Sequence, residues 1–259
     1  MTTTATTSHT HRAIADGATS ALRLDGVSVT YPDGRHADGT IRSTTALDDA
    51  HLTLGRGEFS VVLGPSGSGK STLLSVAAGL VVPDAGKVFV DGTDLTALDE
   101  TRRTEVRRDQ IGVVFQQPNL LPALRVREQL MVSAHLAGLR GRRLRATRER
   151  ADELLERVGM QRYAARRPHE LSGGQRQRVN IARALMGSPA VLIVDEPTSA
   201  LYRARSEEII GLIVDLTREL GTATLLVTHD LELMPRFDTT HRMVDGQLSL
   251  MPAAVGAGV

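Results

Sequence analysis

Phe59-Ser60-Val61-Val62-Leu63 is a short apolar run, and Gly64-Pro65-Ser66-Gly67-Ser68-Gly69-Lys70-Ser71-Thr72 follows it directly. Runs of the first kind suit strands buried on both faces of a parallel sheet. From Lys70 the pattern turns helical and is closed by Gly79, with Pro83 beyond it. Gly64 to Ser71 satisfies the P-loop pattern in full, and it lies between a strand and a helix, where that pattern has physical meaning. Its glycines let the backbone wrap tightly, so that successive N–H groups point at phosphate oxygens. The helix start adds partial positive charge. Lys70 is placed to reach the β- and γ-phosphates, and the Ser71 hydroxyl to ligate Mg²⁺. The loop predicts nucleotide binding but does not separate ATPases, GTPases and kinases.

Outward from the loop, strands and helices alternate. Residues 22–30 alternate apolar and polar, as a half-buried strand does. Pro32, Asp33, Gly34, Asp38 and Gly39 predict a loop. Residues 50–54 form a second strand of this first sheet, and 86–91 an edge strand and turn. Residues 111–115, 191–194 and 224–228 are further buried strands. Ile209, Ile210, Ile213, Leu216 and Leu220 mark an amphipathic helix. The stretch 125–158 is helical in pattern and interrupts the alternation. The expected fold class is α/β: a P-loop NTPase core with a parallel sheet, an N-terminal antiparallel β subdomain and an inserted helical subdomain over about 117–187. The expected boundaries are a disordered tail over 1–20, one domain over 21–249 and a C-terminal tail over 250–259.

Composition narrows the class. The length of 259 residues suits one large domain. Hydrophobic residues make up 41 %, aromatics only 3 %, and Trp is absent, so the core must come from Leu, Val, Ile and Ala. The net charge of +1 gives no global attraction to nucleic acid or anionic membrane. The absence of Cys excludes disulfides and Cys-based metal sites. No apolar run approaches the ~18 residues of a membrane span, so any transport needs a separate membrane partner. The Thr- and Ala-rich start lacks the apolar core of a secretory signal. His9 and His11 in it have no further metal ligands beside them.

Two more sites carry chemistry. Val191-Leu192-Ile193-Val194 ends in Asp195 and Glu196. Side chains alternate along a strand, so the two carboxylates should point differently. Asp195 is assigned to the metal and Glu196 to the general base. His229 follows the last buried strand at its C-terminal end, where ligands bind in open parallel sheets. It is a candidate for contacting the γ-phosphate.

Leu171-Ser172-Gly173-Gly174-Gln175, followed by the helical stretch 176–185, resembles the signature motif of ABC ATPases. Ser172 is a good N-cap, and the two glycines free backbone N–H groups for an anion. The resemblance extends over about 22–248 in the family's order. Tyr31 resembles the aromatic that stacks on adenine. Gln116 resembles the Q-loop glutamine that senses Mg²⁺ and the membrane partner. Asp195 and Glu196 resemble the Walker B pair, and His229 the switch histidine. The resemblance implies Mg-dependent ATP hydrolysis by a head-to-tail homodimer. Each ATP would lie between one chain's P-loop and the other's signature. It also implies a membrane permease as partner, a place on the cytoplasmic face of the membrane, and no nucleic-acid partner. One departure stands out: Tyr202 in Ser199-Ala200-Leu201-Tyr202 occupies a place where the family usually has Asp. This puts the hydrolysis rate in doubt, not ATP binding. Residues 116–124 and the short C-terminus resemble the branch of macrolide export and lipoprotein release; a small-solute importer is the alternative, and a non-transport ABC ATPase acting on nucleic acid or ribosomes is a further one.

Overall fold

The computed structural model describes residues 20–35, 41–198, 203–228 and 237–252. Residues 1–19 and 253–259 of the expected tails, with Asp38, Gly39, Tyr202 and His229, lie outside the described residues; Leu250, expected to open the C-terminal tail, instead ends a strand.

Two sheets organise the chain. The first is antiparallel and is ordered β2-β1-β4-β5, with β1 at Leu22–Arg35, β2 at Ile41–Leu54, β4 at Ala85–Val90 and β5 at Thr93–Asp94. Two expectations change here. Pro32, Asp33 and Gly34 do not leave the sheet: β1 runs through them, because pairing with β2 continues to Pro32 opposite Ser43 and beyond, with register shifts that absorb the irregular residues. Nor is β4 an edge strand, since the two-residue β5 pairs along its outer side.

The second sheet is ordered β10-β9-β3-β8-β7-β6. Its strands are β3 at Phe59–Leu63, β6 at Ile111–Val114, β7 at Val191–Asp195, β8 at Ala223–Thr228, β9 at Thr239–Val244 and β10 at Gln247–Leu250. All neighbours are parallel except β10, which returns antiparallel on β9. The five residues of β3 and all six of β8 are buried, as strands covered on both faces must be. In register, Leu63 stands beside Thr228, and Asp195 beside Val227, so three strand ends are level.

Alternation along these strands divides the core into two layers. Phe59, Val61, Leu63, Leu192, Val194 and Leu226 face helices α3 (Val126–Leu136), α4 (Gly141–Arg157), α5 (Gly173–Ala184) and α6 (Arg203–Leu220). Val62, Val191, Ile193, Leu225 and Val227 face α1 (Lys70–Ala77) and the antiparallel sheet. The helix α2 (Glu100–Gln110) has no buried residue. It is held by arginines: Arg103 donates to the carbonyls of Leu95 and Leu98, and Arg107 to that of Gly79. Within α4, Ala151, Leu154 and Leu155 are fully buried and share one face. Each such leucine contributes about 2 kcal/mol.

Candidate functional site

The loop between β3 and α1 is fixed from behind by backbone. A Cβ at Gly64 would lie 2.2 Å from the Met243 carbonyl oxygen, and one at Gly69 would lie 2.2 Å from that of Ala46. No side chain fits either place. Gly69 also has φ 105°, a conformation that L residues rarely adopt. The Gly246 N–H donates to the Ser68 carbonyl at 3.0 Å. The loop is thus wedged between β2 and the β9–β10 turn.

Its front is open. Gly67 has φ 79° and no heavy atom within 4 Å of where its Cβ would be. The N-cap of α1 is Gly69, which supplies no side-chain cap. The N–H groups of Lys70, Ser71 and Thr72 therefore have no intrahelical partner. Lys70 is 7 % exposed, and its ammonium donates to the carbonyls of Gly64 at 2.8 Å and Pro65 at 2.7 Å. The buried Ser68 hydroxyl has no hydrogen-bond partner. Unpaired donors around a buried cation are what an anionic phosphate chain satisfies.

The acidic pair lies within electrostatic reach of this cradle. Burial pushes the Asp195 carboxyl above its ordinary range, the Glu196 charge adds to that, and the Lys70 ammonium opposes both. A nearby cation would reverse the shift. Strand alternation does not continue through the pair. The strand ends at Asp195, and Glu196 turns with φ 38° while its N–H donates to the Val227 carbonyl at 3.0 Å. Any divergence of the two carboxylates rests on this turn. Left-handed backbone at a non-glycine residue is strained, and such strain collects at functional sites.

The structure spreads the other predicted residues around this centre. Tyr31 is 41 % exposed on β1 and pairs with Thr44, two residues from the Ala46 that touches Gly69. That places it roughly 7 Å along the hairpin from the loop. Gln116 is exposed, two residues past β6, at the same edge of the sheet as Leu63 and Asp195. Thr228, which precedes His229, ends β8 between β3 and β7. Ser172 is the N-cap of α5: its hydroxyl accepts from the Gln175 N–H at 3.3 Å, and its own N–H donates to Gln175 Oε1 at 2.9 Å. This capping box closes the start of the signature helix, which also holds Gly173 and Gly174. The α5 layer and the α1 layer lie on opposite faces of the sheet.

Among the described residues no three His, Cys, Asp or Glu side chains gather as a metal site. Ser71 and Asp195 fit a Mg²⁺ that arrives with its phosphates, since this ion is held by one or two carboxylates plus substrate oxygens. Sequence reasoning missed Ala46, Met243 and Gly246 behind the loop. The Asp245-Gly246 dipeptide was the available signal, being a hairpin turn in its own right.

Comparison with known proteins agrees with this geometry. Residues 47–199 match the ABC transporter family. The lipoprotein-releasing system ATP-binding protein LolD 1 of Rhodopseudomonas palustris is 40 % identical over 228 residues, 88 % of this chain and 98 % of that protein. The ABC transporter ATP-binding protein YtrE of Bacillus subtilis is 36 % identical over 210 residues, 81 % of this chain and 90 % of its own. The dimeric post-hydrolysis structure of the ATP-binding cassette MJ0796 with ADP and Pi superposes with a TM-score of 0.77 at 36 % identity, covering 91 % of this chain and 99 % of that one. With a P-loop, an acidic strand end and a signature helix all in place, the chain belongs to the ABC transporter family as one of its ATP-binding, ATP-hydrolysing subunits.

Proposed function

We propose that this chain holds Mg-ATP on residues 64–72 and hydrolyses it to drive a separate membrane permease of the lipoprotein-release type. The observation that carries the reading is the cradle, anchored behind and open in front, with Lys70 across it and Asp195 in its field. Gly64, Pro65, Ser66, Gly67, Ser68 and Gly69 wrap the phosphates, and Lys70, Ser71 and Thr72 present N–H groups to them. Tyr31 stacks on the base. Ser71, Asp195 and Gln116 would hold Mg²⁺, which would supply neutralisation of the phosphate charge. Glu196 takes the proton of the attacking water. His229 contacts the γ-phosphate.

Ser172, Gly173, Gly174 and Gln175 complete the site of a second copy. Support comes from the layers: α5 and α1 cover opposite faces of one sheet, so a chain's signature is turned away from its own P-loop. The solved cassette MJ0796 is a dimer. The permease assignment is supported by the LolD relative. Among the described residues no helix is long and apolar enough to cross a membrane. The proposed place of the chain is the cytoplasmic face of the membrane, held there through its permease.

Steady-state ATPase activity with Mg²⁺ tests the reading. Activity should rise more steeply than linearly with protein concentration, and Glu196→Gln should lower it at least ~100-fold while ATP still binds. Turnover like the wild type in that variant would remove Glu196 from its role, and activity strictly linear in concentration would count against the shared site.

A further inference from the structure

Helix α4 carries its charge in two unlike halves. In the second half acids and arginines are matched: Arg150 lies 2.9 Å from one carboxylate oxygen of Glu153, and Arg157 lies 2.9 Å from the other. In the first half Arg142, Arg143, Arg145 and Arg148 are all exposed, and the exposed Arg140 precedes them. From His135 to Arg148 the sequence holds these five arginines and no Asp or Glu. Among the described residues no carboxylate pairs with any of the five. The net charge of +1 over the whole chain hides this local excess.

This placement works against the helix itself. A helix start is the positive end of its dipole and favours acids. Arg142 and Arg143 stand in the first turn of α4, which holds no acidic residue, and Arg140 at the N-cap supplies no side-chain cap. Arg142, Arg145 and Arg148 follow at every third position, so like charges are neighbours on the helix surface. The same chain builds α2 the other way. Asp99 caps it, Glu100 stands in its first turn, and Arg107 and Arg108 stand in its last. There Arg103, Arg107 and Arg108 each have a carboxylate oxygen at 3.0 Å or closer. A merely solvated face would follow α2. The start of α4 holds a repulsion that an external anion relieves.

An apolar group stands beside these charges. Leu136 ends α3 and is 85 % exposed, more than any other large hydrophobic side chain among the described residues. Residues 137–140 lead from there into α4. Around Gly138 and Gly141 nothing but their own chain neighbours lies within 4 Å of where a Cβ would be, so this end of the helix pair is uncovered. Leucine gains little from a nucleic acid, whose backbone contacts are polar. The surface of an anionic bilayer suits both groups: guanidinium forks meet headgroup phosphates while a leucine enters the acyl boundary. We propose that the α3–α4 turn is a membrane-surface contact, with Arg140, Arg142, Arg143, Arg145 and Arg148 on anionic headgroups and Leu136 in the acyl boundary. This goes beyond the proposed function, in which the permease alone holds the chain at the membrane.

The test floats the full chain, without nucleotide, on vesicles of phosphatidylcholine alone and on vesicles of phosphatidylcholine mixed with phosphatidylglycerol. No permease is present and no ATP is consumed, so the result stands apart from the ATPase measurement. The parent should bind the mixed vesicles only, and should leave them as salt shortens the screening length from ~10 Å at 0.1 M towards ~3 Å at 1 M. Exchanging Arg142→Glu, Arg143→Glu and Arg145→Glu together should weaken binding at least ~100-fold, at about fivefold per arginine. ATPase activity and melting temperature should not fall, since the reversed charges suit a helix start. Leu136→Ser, at an exposed position, should weaken binding about tenfold with the salt dependence kept. Equal binding to both kinds of vesicle, or none by the parent, overturns the proposal, as does a joint variant that binds like the parent. If the joint variant does not fold, undiminished binding by Leu136→Ser overturns it alone. Short duplex DNA that strips the parent from the vesicles at equal phosphate concentration, and binds Leu136→Ser equally well, gives the face to nucleic acid and overturns the membrane assignment.

Discussion

Two helices of this chain begin at the P-loop and at the signature, and they begin differently. The first, α1, starts at Gly69 with no side-chain cap, so its leading N–H groups face outward unpaired. The second, α5, starts at Ser172 with a capping box in which Ser172 and Gln175 satisfy each other. The first start is incomplete until a ligand comes. The second is complete in one chain and must exchange internal bonds for external ones. An uncapped start costs about 1 kcal/mol, which a triphosphate can return many times over. Under the proposed function the difference predicts an order of events: nucleotide binds the P-loop of a single chain first, and the signature engages later, when a second chain brings it.

Changes at the two starts can break this contrast or sharpen it. The largest effect belongs to Lys70→Ala, which removes the buried ammonium from the cradle. Nucleotide affinity by calorimetry should fall about 100-fold or more, the worth of a charge-assisted contact in a site shielded from water. Gly69→Ala comes next. A Cβ there meets the Ala46 carbonyl at 2.2 Å on a backbone of φ 105°. Melting should report a loss of about 2–3 kcal/mol, with weakened nucleotide binding beside it. Ser172→Ala should cost about 1 kcal/mol of stability through the lost cap and should lower turnover. It should leave the nucleotide affinity of the single chain unchanged; a fall in that affinity would mean that the two starts serve one site, and the contrast would collapse.

The smallest effect lies behind the P-loop strand. Ser60 of β3 and His241 of β9 share a hydrogen bond of 3.1 Å, and burial lowers the His241 pKa from 6.5 to about 4. Between these values the unfolded chain binds a proton that the folded chain refuses, so stability falls as pH falls through the window. From pH 7 to pH 5 the loss should be at most about 2 kcal/mol. His241→Gln should show a shallower decline in melting temperature over the same range, and an equal decline would assign the acid sensitivity to other groups.

What the sequence revealed and what it concealed follow the same physics. Strands such as Phe59–Leu63 and Ala223–Thr228 were legible because burial on both faces forces unbroken apolar runs. The P-loop was legible because only glycine fits against the Met243 and Ala46 carbonyls. Helix α2 was not, since it buries none of its residues and shows no apolar period. Asp99, whose carboxylate caps it by accepting from the Arg102 N–H, was its one local sign. Gln129, Gln177 and Asn180 read as polar helix positions and are in fact buried grips on residues 115–124. Their burial is decided by where a distant loop passes, which no local pattern records. Pro32 and Gly34 read as a loop, yet tertiary pairing carries β1 through them.

The wedge behind the P-loop joins two distant parts of the chain, the Ala46 carbonyl on one side and Met243 with Gly246 on the other. Asp48 also donates its N–H to the Gly246 carbonyl at 3.0 Å, so the two parts are tied directly to each other. During synthesis the chain emerges from its N-terminal end, and domains form in that order. The P-loop therefore leaves the ribosome long before the hairpin that steadies it. Until residues 243–246 follow, the nascent loop lacks the backbone that fixes it from behind.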